Sequence, residues 1–136
     1  MRILGLDIGE KRIGVSISDK DEKLSAPYDV IANDSNFKSN MEKIVDEYKI
    51  KRIIVGMPYT LKGDIGAQGK KVLEFVNENI DFKNVGIEYF DERFTSSMIE
   101  YEIKKNKRKK KDIDKISAAI ILQDYLDKKN ETKKDQ

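Results

Sequence analysis

The stretch Ile3-Leu4-Gly5-Leu6-Asp7-Ile8-Gly9 constrains this chain more than any other. A near-continuous apolar run of this length suits a strand buried on both faces, and such a strand needs layers above and below its sheet. One acid, Asp7, interrupts the run, where an unpaired carboxylate is costly. Gly5 and Gly9 flank it, so a backbone or a ligand can come close. Two readings of Asp7 stand side by side. It is either a structural residue, pairing with Lys11 or Arg12 or capping a turn, or part of a functional site.

The pattern that follows fixes the kind of sheet. A tight Gly-Glu-Lys-Arg connection leads to Ile13, Val15 and Ile17, which alternate with Gly14, Ser16 and Ser18. That period of two predicts a second strand. Leu24 to Ile31 is a third, placed at the sheet edge because Pro27 has no N–H for a ladder. The period then lengthens. Phe37, Met41, Ile44, Val45 and Tyr48 fall at helical spacing, with Ser39 and Glu42 set for a capping box. Arg52 to Gly56 predicts a short buried strand, and a loop punctuated by Pro58, Gly63 and Gly66 follows. Val72, Leu73, Val76 and Ile80 mark a second helix, and Val85 to Phe90 a fifth strand. A short helix is expected from Thr95 to about Lys104, with Ser97 and Glu100 as another capping box, and a last helix from about Asp112 to Asp127. The order β-β-β-α-β-α-β-α-α predicts a mixed five-stranded α/β sheet, antiparallel at first and then parallel through helical crossovers. The 136 residues fit one domain, expected over residues 1–127, with a disordered polar tail from about Lys128 to Gln136.

Composition narrows the chemistry. The chain contains no cysteine and no histidine. Disulfides, thiol nucleophiles, the usual zinc clusters and His-based triads are therefore excluded. No apolar run approaches the roughly 18–20 residues of a membrane span, so the chain is expected to be soluble, cytoplasmic and free of membrane contact. Catalysis has to come from carboxylates, Lys, Arg, Tyr, Ser or Thr, with or without a hard metal.

Three acidic positions stand out. The first is Asp7. The second is the pair Asp91-Glu92, at the carboxyl end of the fifth strand, where open α/β sheets bind ligands. Successive strand residues point to opposite faces, so only one of the two can share a site with Asp7. The third is Asp114, in the first turn of the last helix. Its simplest role there is compensation of the helix dipole. Ser117, Ala118 and Ile121 share its stripe, however, and small residues on that face would let the helix lie close to the sheet with Asp114 facing inward. Three separated acids converging without His or Cys fit Mg²⁺ or Mn²⁺. Two such ions can activate a water and stabilise the leaving oxygen of a phosphodiester.

At this point the residues carry a family resemblance. Leu6-Asp7-Ile8-Gly9-Glu10-Lys11-Arg12-Ile13-Gly14-Val15, Ile54-Val55-Gly56-Met57-Pro58 with Gly63, Asp91-Glu92-Arg93-Phe94-Thr95-Ser96 and the segment from Asp114 to Leu122 occur in this order. The sequence resembles the YqgF/RuvX family of pre-16S rRNA nucleases, also called Holliday-junction resolvase-like proteins, over about Ile3 to Leu126. The resemblance implies a ribonuclease H-like fold. It implies that Asp7, Glu92 and Asp114 are the catalytic, metal-binding acids, which selects Glu92 over Asp91. It also implies Mg²⁺ or Mn²⁺, two ions with substrate bound, and a part in maturing the 5′ end of 16S ribosomal RNA. Resolution of branched, four-way DNA, by analogy with RuvC, is the alternative, and a homodimer would favour it. Many enzymes of that fold use four acids; here three are well placed, and Tyr125 continues the inner stripe instead.

Basic residues suggest the substrate. Lys104 to Lys111 holds seven cations in eight positions, so the net charge of +2 hides a dipolar molecule. The run adjoins Asp114, and Lys107, Arg108, Lys109, Lys110 and Lys111 would gain from counterion release on nucleic acid. Lysine predominates, which favours backbone contact over base reading. Lys11, Arg12 and Arg93 are further phosphate candidates, whereas Lys70 and Lys71 fit the solvent face of their helix. Tyr59 in the glycine-rich loop either stacks on a base or packs the loop. Two other classes compete: one half of an actin-like ATPase, which would need a second such domain, and a non-catalytic RNA-binding assembly factor.

Overall fold

A computed structural model describes residues 1–91 and 110–134, with side chains at 1–91 and 113–131. Its elements are β1 (Ile3–Ile8), β2 (Arg12–Ser18), β3 (Ser25–Ala32), α1 (Phe37–Tyr48), β4 (Arg52–Met57), α2 (Ala67–Asn79), β5 (Gly86–Asp91) and α3 (Lys110–Lys134). The sheet order is β3-β2-β1-β4-β5. β1, β2 and β3 form an antiparallel meander, while β4 and β5 run parallel to β1. This is the mixed sheet the periodicity predicts. Pro27 lies on edge strand β3, and the register shifts between Val15 and Ser16 beside it.

Alternation along the strands builds two unequal layers. Leu4, Leu6, Ile13, Val15, Ile53, Val55 and Met57 face Phe37, Met41, Ile44 and Val45 of α1 and Val72 and Val76 of α2. Ile3 and Ile54 face Ile121, Leu122 and Leu126 of α3 on the other side, with Phe90 and Tyr125 packed beside them. The α3 side of the sheet is lined by small residues, so the helix lies close. A Cβ added to Gly5 would sit 2.8 Å from Leu122 Cβ and 2.9 Å from the Ala118 carbonyl oxygen. Ser16, fully buried, donates its hydroxyl to the Ala118 carbonyl at 2.7 Å. Ser25 likewise donates to the Ala119 carbonyl. Ser16→Ala is expected to cost about 1 kcal/mol, the net worth of a buried hydrogen bond, read as a lower urea midpoint with an unchanged slope.

Two boundaries differ from the sequence expectation. α1 begins at Phe37 after Asn36, which caps nothing with its side chain. Ser39 sits inside the first turn and donates back to the Asn36 carbonyl at 3.2 Å, so the Ser39–Glu42 box does not form. Asp34 shapes the entry instead, accepting from the Asn36 N–H at 2.8 Å. α3 continues to Lys134, so residues 128–134, expected as disordered tail, are helical. Lys129 pairs with Glu22 at 3.1 Å and Asn130 donates to the Glu22 carbonyl at 3.2 Å, tying this extension to the turn before β3. The expected helix from Thr95 to Lys104 lies outside the described residues. Among the described residues no helix is long and apolar enough to cross a membrane.

Candidate metal centre

The alternation that buries Leu4 and Leu6 under α1 and α2 turns Asp7 toward α3, one residue before the carboxyl end of β1. Its register partner on β2 is Gly14. α3 crosses directly over Gly14, where an added Cβ would overlap the backbone carbonyl of Asp114 and lie 3.0 Å from the Lys115 nitrogen. Gly14 is therefore the position that lets Asp114 come down to Asp7. The stripe read from sequence has its expected place: Ala118 and Ile121 are buried against the sheet. Further along, Tyr125 accepts from Arg52 at 2.8 Å and stacks edge-on to Phe90.

The electrostatics of the pair are unfavourable as they stand. Burial, and then repulsion from Asp114, push the Asp7 carboxyl up to about 6. Among the described residues no hydrogen-bond donor or cation pairs with Asp7. Arg12 does not pair with it, contrary to the structural reading of Asp7. Its Nε donates instead to Asp114 Oδ2 at 3.0 Å. A crowded pair of carboxylates, one with no compensating donor among the described residues, is the donor chemistry that a hard divalent cation satisfies. Asp7 and Asp114 would hold it, with oxygen ligands alone.

The other expected site residues divide into two groups. Glu92, Arg93, Lys107, Arg108 and Lys109 lie outside the described residues. Lys110 and Lys111 open α3, with their side chains also outside. Among the described residues no three potential ligands gather. Asp91, which ends β5 opposite Met57, alternates with Phe90 and so takes the face of Ile87, away from α3. Lys11 is exposed on the β1–β2 turn. That turn is held by Asn33, which the sequence reading missed. Its side chain donates to the Gly9 carbonyl at 2.9 Å, and its backbone N–H donates to the Lys11 carbonyl at 2.9 Å. An Asn at the end of an edge strand is a common turn residue, so its target on another turn left no local signal.

The loop after β4 closes on itself through a Tyr59–Ile65 bridge and a Gly63 at φ 88. Tyr59 is half-buried against the core, so it packs the loop, and Leu61 occupies the exposed tip. Lys71 is exposed as expected and pairs with Glu10 at 3.2 Å. That pair lies in a cleft of about 770 Å³ between the β1–β2 turn and α2, lined also by Asn33, Gln68 and Phe75. The cleft opens on the α2 side of β1, away from Asp7.

The family model described as "RuvX: Holliday junction resolvase" matches residues 1–128. The chain belongs to the RuvX family. A "Putative pre-16S rRNA nuclease" from Sulfurihydrogenibium sp. (strain YO3AOP1) is 44% identical over 131 residues, covering 93% of this chain and 90% of the relative. One of the same name from Desulforamulus reducens is 40% identical over 134 residues, covering 93% and 97%. Among solved structures, the fowlpox virus resolvase bound to Holliday junction DNA superposes with a TM-score of 0.58 at 14% identity, covering 94% of this chain and 98% of that one. Thermus thermophilus RuvC with a junction substrate gives 0.50 at 11% identity, covering 89% and 91%. These likenesses establish a ribonuclease H-like fold for this RuvX-family chain.

Proposed function

We propose that this chain is a divalent-metal-dependent nuclease that hydrolyses phosphodiester bonds in structured RNA, acting at the 5′ end of the 16S rRNA precursor in the cytoplasm. The observation that carries the reading is the convergence of Asp7 and Asp114, remote in sequence, on one side of the sheet, with Asp7 held at a pKa of about 6 and no donor among the described residues to satisfy it. Glu92 is the third acid in this reading. Its support is that Asp91, the other member of the pair, takes the opposite face. The relatives' names supply the substrate class.

Mg²⁺ or Mn²⁺, two ions with substrate bound, would supply an activated water and stabilise the leaving oxygen. The chain's own residues do the rest. Asp7 and Asp114 concentrate negative charge where those ions are needed. Arg12 offsets part of that charge by holding Asp114. Arg12 stands beside the acids through Asp114, Lys11 precedes it on the exposed β1–β2 turn, and Arg93 and the cationic run Lys107 to Lys111 adjoin the acids in sequence, to meet the phosphate backbone. Resolution of four-way DNA junctions is the second reading, favoured by the description of the family model.

The test is cleavage by the wild-type chain of a 5′-extended 16S precursor and of a four-way DNA junction, each with Mg²⁺, Mn²⁺ or chelator. Metal-dependent cleavage of the precursor is expected, and cleavage of the junction alone would transfer the activity to DNA. Sedimentation of the chain with each substrate reports whether a homodimer forms. Cleavage of neither substrate with either metal would leave only a binding role.

A further inference from the structure

We propose that Arg12 serves two anions at once: Nε holds Asp114 while Nη1 and Nη2 take a non-bridging phosphate oxygen of the substrate strand. The inference rests on the nuclease reading above and concerns the same site. Arginine and carboxylate commonly pair through two parallel N–H bonds. Here the contact is single, from Nε to Asp114 Oδ2 at 3.0 Å. Among the described residues the two terminal nitrogens have no acceptor. The side chain is 31% exposed. Arg12 opens β2 straight after the β1–β2 turn, whose backbone is closed by the Gly9 N–H donating to the Arg12 carbonyl at 3.0 Å. Arg12 is thus anchored at both its backbone and its inner guanidinium nitrogen, with no acceptor for its outer edge among the described residues.

The local charge balance gives this arrangement a purpose. A phosphate approaching Asp7 and Asp114 meets two carboxylates. A cation fixed against Asp114 reduces that repulsion and offers a planar donor edge of the kind that suits phosphate. Lysine has only a point charge to offer, so it cannot bridge a carboxylate and a phosphate with the same geometry. The same placement has a cost for metal uptake. A permanent positive charge 3.0 Å from Asp114 Oδ2 repels any divalent ion the carboxylate takes up. Loss of Arg12 therefore moves metal affinity and RNA affinity in opposite directions.

Two binding measurements on the full chain test this without cleavage. The first is a calorimetric Mn²⁺ titration of wild type and Arg12→Gln. The variant is expected to bind Mn²⁺ more tightly, by roughly three- to tenfold. The second is binding of a single-stranded RNA oligonucleotide to the metal-free protein across a salt series. The slope of log affinity against log salt is expected to fall by about 0.7, one phosphate contact on a single strand. Weaker Mn²⁺ binding or an unchanged slope would overturn the proposal, because a mere prop for Asp114 loses metal affinity and leaves the salt slope alone. Wild-type protein that takes up no Mn²⁺ would overturn the carboxylate site itself, and the salt slope would still judge Arg12. Should Arg12→Gln fail to fold, nitrogen-15 spectra of the wild-type guanidinium decide. RNA should shift the Nη signals and leave Nε–H bonded, and unshifted Nη signals would refute the contact.

Discussion

Asp7→Asn is expected to abolish cleavage and, in the absence of metal, to make the protein more stable. The two effects have one origin. Asp7 is held in a half-buried position beside Asp114, and desolvation and repulsion together raise its pKa from 3.8 to about 6. In the folded chain the protonated form is favoured, so between these values the folded state binds more protons than the unfolded one. Stability is therefore full below pH 3.8, falls as pH rises toward about 6, and stays reduced above it. At 1.36 kcal/mol per pKa unit, the penalty at neutral pH is about 3 kcal/mol. Asparagine removes the charge at nearly constant volume and should recover most of it. For a chain of this size that is roughly a 6–12 °C rise in melting temperature in chelator at pH 8, vanishing at pH 4. Cleavage should fall by about a thousandfold or more, since a principal oxygen ligand is lost.

Metal provides the second arm of this test. Adding Mn²⁺ to wild type should raise its melting temperature toward that of Asp7→Asn, because the ion supplies the charge that Asp7 lacks. The variant should respond much less. If Asp7→Asn melts lower than wild type in chelator, Asp7 is a structural residue with an unseen partner. The two readings of Asp7 available from sequence are thus separated by the sign of one temperature shift. Sites assembled for binding charge commonly reduce stability in this way.

Much of this was legible because it rests on period. The apolar run around Asp7, the alternation in β2 and the stripe from Asp114 through Ala118 to Ile121 each encode which face a residue takes. Together they place Asp7 and Asp114 on the same side of the sheet. Partner choice was not legible. Nothing in the order of residues says that Arg12 reaches across to α3 rather than along the turn to Asp7, because that depends on how near the helix lies to β2. The capping box at Ser39 and Glu42 failed for a related reason. The motif is local, but the turn at Asp34 had already started the helix at Phe37. The extension of α3 past Leu126 has no apolar stripe to announce it. It is held by polar contacts to Glu22, which sequence spacing cannot foresee.

Gly14→Ala should show the reverse pattern, with stability and metal binding lost together. Gly14 lies mid-strand opposite Asp7, and its backbone is ordinary, so glycine is needed there for space alone. A methyl group would meet the Asp114 carbonyl and the Lys115 nitrogen. Both are main-chain atoms of α3, which cannot rotate away as a side chain would. The helix must therefore lift at this end, stretching the Ser16–Ala118 bond and reopening the close contact at Gly5. Overpacking against backbone costs about 3 kcal/mol or more, roughly a 10 °C fall in melting temperature. Asp114 moves with the helix, so Mn²⁺ affinity in calorimetry should drop at least about tenfold even in molecules that remain folded. Gly86→Ala is the control. Its Cβ would lie 3.9 Å from the Lys51 carbonyl oxygen, an ordinary contact, and should change stability by less than about 0.5 kcal/mol. Equal melting temperatures for Gly14→Ala and wild type would mean that α3 does not rest on β2, and the juxtaposition of Asp7 with Asp114 would lose its structural basis.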